Sequence, residues 1–245
     1  MPELTPPVAA SKPLPAPSDL LRASWQLFRE HFSPLLKITL VMVAPSLINI
    51  GLATLSDLPS APQTLLGSLI FLFALLSIVT GIWGSVALIT YIKNNNRSLT
   101  ISDAFNQNVS LLWSFFWVGL VVGIITMLAA LLLIIPGIIV GVYYSLYSYV
   151  MIDQQIKGFR AAATSWALIK GRWWAVFGRL LVIGLLGLVL YAMTIALTWL
   201  LPSNLKQLAT LLSLIFNLFF SPFAVIYTYR LYASLHDTHA PAAAV

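Results

Sequence analysis

Long stretches without a single charged side chain constrain this chain more than any other feature. No Asp, Glu, Lys or Arg occurs between Asp57 and Lys93, between Asp103 and Asp153, between Arg179 and Lys206, or between Lys206 and Arg230. A helix needs about 20 predominantly apolar residues to cross a bilayer, where the backbone must satisfy its own polar groups. The second stretch has room for two such helices and each of the others for one. Soluble domains carry charge on roughly 25 % of their residues; this chain carries it on 8 % of 245, too few to solvate a surface. The pattern predicts an all-α, polytopic transmembrane bundle of about six spans. They run over Leu35–Leu55, Leu65–Ile92, Trp113–Ile135, from a break at Pro136-Gly137 to Ile152, Val176–Leu200 and Leu208–Tyr229.

The remaining charges set the orientation. Lys12, Arg22, Arg29 and Lys37 precede the first span; Lys93 and Arg97 follow the second; Lys157, Arg160, Lys170, Arg172 and Arg179 follow the fourth; Arg230 follows the sixth. The opposite loops hold Lys206 alone. Basic residues collect on the cytoplasmic side of spans, so both termini are expected in the cytoplasm. The formal charge of +6 is therefore a topology signal. A nucleic-acid surface would cluster its basic residues on one polar face. Residues 1–17 hold six of the prolines and lack the basic start and apolar core of a signal peptide. They read as a disordered cytoplasmic tail, as do residues 236–245, which leaves 18–235 as the membrane domain.

Three segments between these parts are amphipathic. Ser18 and Asp19 suit a helix start, after which Leu21, Trp25, Phe28 and Phe32 recur at helical spacing. Thr100 and Asp103 form a capping-box pattern ahead of Phe105. In the third, Phe159, Ala162, Trp166, Ile169 and Trp173 share one face, with Lys157, Arg160, Thr164 and Lys170 largely on the other. Helices of this kind lie in the membrane interface or pack on the mouth of the bundle; both readings stand. Lys157, Arg160, Lys170, Arg172, Trp166 and Trp173 are the candidate lipid contacts, toward anionic headgroups. Ser24 to Phe32 also aligns without gaps to Ser165 to Trp173, with Ser, Trp and Leu identical. The expectation is three units, each an interfacial helix followed by a helical hairpin.

Little here can carry catalysis. There is no cysteine, and His31, His236 and His239 make no ligand spacing. No Gly-rich phosphate loop is present. Neither a metal nor a cofactor is expected, and no charge lies in the core of an expected span. Asn49 and Asn217 are the deep amides, suited to interhelical hydrogen bonds or to a polar path that Tyr143 would also line. Gly119 with Gly123, and Gly137 with Gly141, are small-xxx-small pairs on consecutive spans hinged at Pro136. Asp153 ends the fourth span, where it could cap the next helix or pair with Lys157 or Arg160, holding that corner.

The ordered series Pro136-Gly137-Ile138, Asp153, Ala161-Ala162, Ser165, Leu168, Lys170-Gly171 and Trp173-Trp174 resembles the membrane domain attached to some bacterial glycerophosphodiester phosphodiesterases and the related YciC-like inner-membrane proteins. The resemblance implies a six-span protein of the bacterial inner membrane. It does not imply phosphodiesterase activity, because the soluble catalytic domain with its metal site is not in this sequence. The expectation is a non-enzymatic membrane protein that assists or organises a membrane partner, a second copy of itself or a lipid process. The rival expectation is a facilitator of a lipid-like or weakly polar solute.

Overall fold

The computed structural model describes residues 14–56, 62–94, 99–202 and 206–239. They form ten helices: α1 (Pro17–Glu30), α2 (Phe32–Ser56), α3 (Gln63–Lys93), α4 (Ile101–Asn106), α5 (Leu112–Leu132), α6 (Ile134–Tyr144), α7 (Tyr147–Gln154), α8 (Phe159–Ile169), α9 (Trp173–Leu200) and α10 (Lys206–His239), with a short 3-10 turn at Val109–Leu111. The described residues contain no strand. Six helical segments are long and apolar enough to cross a membrane: Phe32–Leu55, Gln63–Lys93, Ile101–Leu132, Ile134–Gln154, Trp173–Leu200 and Leu211–Thr238. The fold is that of a multi-pass membrane protein.

Three hairpins make the bundle: α2 with α3, α5 with α6, and α9 with α10. Each short helix lies on the helix that ends another hairpin, or on its continuation. Thus α4 packs on α3, α8 on α7, and α1 on α10, so the contacts run in a closed ring. The buried core sits at one end. It takes in Val86, Ile89, Leu146, Val150, Tyr227, Leu231 and Leu235 in one cluster, with Leu35, Ile38, Ala87, Leu88 and Ile226 in a second. This end also carries Lys93, Asp153 and Arg172 and is called the basic end below. At the other end Leu132, Ile134, Trp199 and Leu200 are exposed. Apolar surface on that scale is matched by hydrocarbon and not by water.

The helix boundaries follow local chemistry. Two glycines set close approaches: Gly84 leaves the space that Met42 of α2 fills, and a Cβ at Gly137 would lie 2.6 to 2.9 Å from the Cβ, Cα and N of Ala130. The break between α5 and α6 falls at Leu133, whose backbone is extended (φ −160°, ψ 138°), three residues before the expected hinge. The Pro136 ring would clash with the carbonyl four residues back. The chain therefore ends α5 at Leu132, and Pro136 sits in the first turn of α6, where no N–H is required.

Two further boundaries differ from expectation. The fourth span is interrupted by a turn at Ser145-Leu146. The helix of the sixth continues past Tyr229 to His239, so residues 236–239 are helical. Residues 14–16, expected within the tail, are tied down: Arg179 donates to the carbonyls of Pro15 at 2.9 Å and Leu14 at 3.0 Å. Residues 1–13 and 240–245, where the rest of the expected tails fall, and positions 57–61, 95–98 and 203–205 lie outside the described residues.

Candidate functional site

At the basic end the terminal turns of α3, α7 and α10 converge on one polar seam. Lys93 pairs with Asp153 across 3.4 Å, with both side chains about a quarter exposed (28 and 24 %). Its ammonium also donates to the main-chain carbonyls of Ile152 and Asp153, which the end of α7 leaves without helical partners. On the other carboxylate oxygen, Asp153 accepts the hydroxyl of Tyr232 at 2.9 Å, and Gln154 donates to the same hydroxyl at 3.3 Å. One carboxylate therefore joins three helices that are far apart in the chain.

A second branch extends from it. Gln155, in the left-handed region at φ 55°, donates to Asn108 Oδ1 at 3.0 Å, and Asn108 donates to the buried Thr90 hydroxyl at 2.6 Å. Backbone in that region is uncommon outside Gly, and here it lets α7 end and aim the amide at Asn108. This is the corner expected at Asp153, with different partners: α8 is capped by Gly158, and Lys157 and Arg160 are not bonded to Asp153. Sequence spacing could not show that Lys93, 60 residues upstream, supplies the charge.

The second feature is α8. Ala161, Ala162, Ser165, Leu168 and Ile169 are its buried face. Phe159 is 57 % exposed and Trp166 38 %, beside exposed Arg160 and Lys170. The buried face is thus turned about a quarter of a turn from the one expected by its aromatics. The reason is size: Ala161, Ala162 and Ser165 permit close approach to α6 and α7, whereas Trp166 fits only at the rim. There it stacks on Tyr143, ring centroids 3.8 Å apart at 17°.

Ser165 explains the turn in the fourth span. Its hydroxyl donates to the Tyr143 carbonyl at 2.8 Å and accepts from the Leu146 N–H at 3.3 Å, replacing backbone bonds lost between α6 and α7. Its aligned counterpart Ser24 is equally buried, and its hydroxyl has no hydrogen-bond partner. Ser24 lies on α1, which packs on α10, a helix that runs unbroken and has no N–H to spare. Burial matches at several aligned positions: Leu27 and Leu168, Phe28 and Ile169 are buried, and Trp25 and Trp166 exposed, whereas Phe32 is exposed and Trp173 half-buried.

The other expected site residues separate into groups. Lys157, Arg160 and Lys170 are exposed, while Arg172 donates to the Thr238 hydroxyl at the end of α10. Trp173 stacks on Phe177 at 4.9 Å and donates to the Ile139 carbonyl at 3.4 Å, so it is a packing residue. Trp174, which is not among the candidate lipid contacts, is 78 % exposed. Among the paired glycines, Gly137 approaches Ala130 closely, Gly119 meets the Tyr147 hydroxyl, and Gly141 makes ordinary contact with Thr126. Gly123 has nothing within 4 Å of an added Cβ, so the expected packing does not occur there.

Asn49, Asn217 and Tyr143 do not share a site. Asn217 lines a cleft between α9 and α10, Tyr143 lies under Trp166, and Asn49 has a buried amide oxygen with no partner. Among the described residues no three of His, Asp and Glu come together to hold a metal ion. Comparison with protein-family models, curated proteins and solved structures finds no match.

Proposed function

We propose that this is a non-enzymatic protein of a bacterial inner membrane, with both termini in the cytoplasm, that organises a lipid process or a membrane partner at an anionic leaflet surface. The YciC-like resemblance and the basic loops motivate the setting. The observation that carries the reading is α8. One face is locked into the bundle by Ser165, Leu168 and Ile169. On the other, Arg160, Phe159 and Trp166 are exposed, as are Lys157 just before the helix, Lys170 at its C-cap and Trp174 at the start of α9. Cations above aromatics suit a headgroup boundary, and each Lys or Arg near an anionic surface contributes about 1 kcal/mol. The Lys93–Asp153 seam is engaged by helix-end carbonyls, Tyr232 and Gln154, which favours a structural role for it.

The test uses the full chain. Reconstituted in vesicles of phosphatidylglycerol and phosphatidylcholine and then extracted in mild detergent, the protein should retain phosphatidylglycerol preferentially. Replacing Lys157, Arg160 and Lys170 with Gln, or adding salt, should erase the preference, because exposed charges are screened. Unchanged retention in the triple variant would leave topology as the sole role of those charges.

A further inference from the structure

We propose that the cleft between α9 and α10 is a binding site for a neutral, lipid-like molecule that carries a hydrogen-bonding group. It lies far along both helices from the basic surface of α8 and is argued independently of it.

The cleft encloses about 290 Å³, the lower edge of the range usual for small-molecule sites. Gly187, Leu190, Leu214 and Phe220 give it apolar walls, and Tyr191, Thr194 and Asn217 bring polar groups into it. Gly187 keeps it open: a Cβ there would lie 3.1 Å from the Phe220 ring. The Thr194 hydroxyl donates to the Leu190 carbonyl at 3.0 Å, which leaves its oxygen as an acceptor. The Asn217 side chain is exposed and hydrogen-bonds to none of the described residues.

Position makes that amide informative. Asn217 lies nine residues beyond Leu208, about 14 Å along a helix at 1.5 Å per residue, well inside a hydrocarbon layer of ~30 Å. Water is not there to satisfy an amide, and a polar group left bare in hydrocarbon is costly. None of the described residues supplies a partner, and a ligand's oxygen would. Among the described residues no charged side chain lines the cleft, so a charged headgroup would meet no partner there. A hydroxyl or ester oxygen on an apolar chain meets both demands, as in a diacylglycerol or a long-chain alcohol.

The full chain is reconstituted in vesicles containing a trace of photoactivatable diacylglycerol, illuminated, and digested for mass spectrometry. Adducts should concentrate on the peptides holding Gly187–Thr194 and Ser213–Phe220. Asn217→Leu should lower them about fivefold, the effect of losing one hydrogen bond. Gly187→Leu, which fills the cleft from its other wall, should lower them as well. Adducts elsewhere on the lipid-facing helices should not change in either variant, which shows that both remain folded. Even labelling over all spans, preferential labelling by a phosphatidic-acid probe, or cross-linking of two copies through Asn217→Cys would each overturn the proposal.

Discussion

Lys93 of α3 pairs with Asp153 of α7 at 3.4 Å, and the same ammonium closes the end of α7 through the carbonyls of Ile152 and Asp153. The two residues are therefore unequal. Lys93→Ala leaves the Asp153 carboxylate without its cation and the Asp153 carbonyl without a side-chain donor, while Tyr232 still donates to the carboxylate and Gln155 to the Ile152 carbonyl; hydrogen bonds to a charged group are worth about 1.5–3 kcal/mol. Asp153→Asn keeps an acceptor for Tyr232 and leaves Lys93 on its carbonyls, at a cost of about 1 kcal/mol, in the range of a partly exposed ion pair. Thermal denaturation in detergent should show the larger drop for Lys93→Ala. The reverse order would mean that the ion pair, and not the capping of α7, holds the seam.

The aligned serines give a second comparison. Ser165→Ala removes the partner of the Tyr143 carbonyl and the Leu146 N–H at the α6–α7 turn; an unsatisfied buried group costs about 1–3 kcal/mol. Ser24→Ala removes a buried hydroxyl that has no partner and should leave the melting temperature unchanged or raise it. Equal destabilisation by the two variants would show that Ser24 finds a bond of its own.

These two cases mark what the sequence could convey. Charge-free runs located the spans and the capping box at Thr100 located α4, because hydrocarbon and helix ends each demand particular residue types within a few positions; Ser18 does not cap α1, which starts at Pro17 with Ala16 as N-cap. Capping by Thr100, whose hydroxyl accepts from the Asp103 N–H at 3.2 Å, is such a local demand. The Lys93–Asp153 pair joins residues 60 apart, and nothing in their neighbourhoods specifies the partner. The turn at Ser145-Leu146 was illegible for the same reason, since the hydroxyl that repairs it sits on α8. Aromatic spacing misassigned the buried face of α8 because, where helices cross closely, small residues decide which side goes in.

Orientation is tested with topology reporters. Fusions at Ser11, Asn95 and Thr238 should report the cytoplasm, and fusions at Pro59 and Ser203 the opposite side. The grounds are the collection of twelve of the thirteen Lys and Arg on one side of the spans. A cytoplasmic signal at Pro59 would overturn the arrangement of the first hairpin.

The final prediction separates two glycines of one hairpin. A Cβ at Gly137 would come within 2.6 to 2.9 Å of Ala130, including its backbone Cα and N, which no rotamer change can relieve. Gly137→Ala must push α6 away from α5, and overpacking of this kind costs about 1–3 kcal/mol. At Gly123 an added Cβ meets nothing within 4 Å, and Ala is the better helix former by about 1 kcal/mol. Gly123→Ala should therefore be neutral or slightly stabilising in a detergent melt, although both glycines belong to the same sequence motif. Matching losses at the two positions would mean that a further helix, from another copy or a partner, covers Gly123 in the membrane.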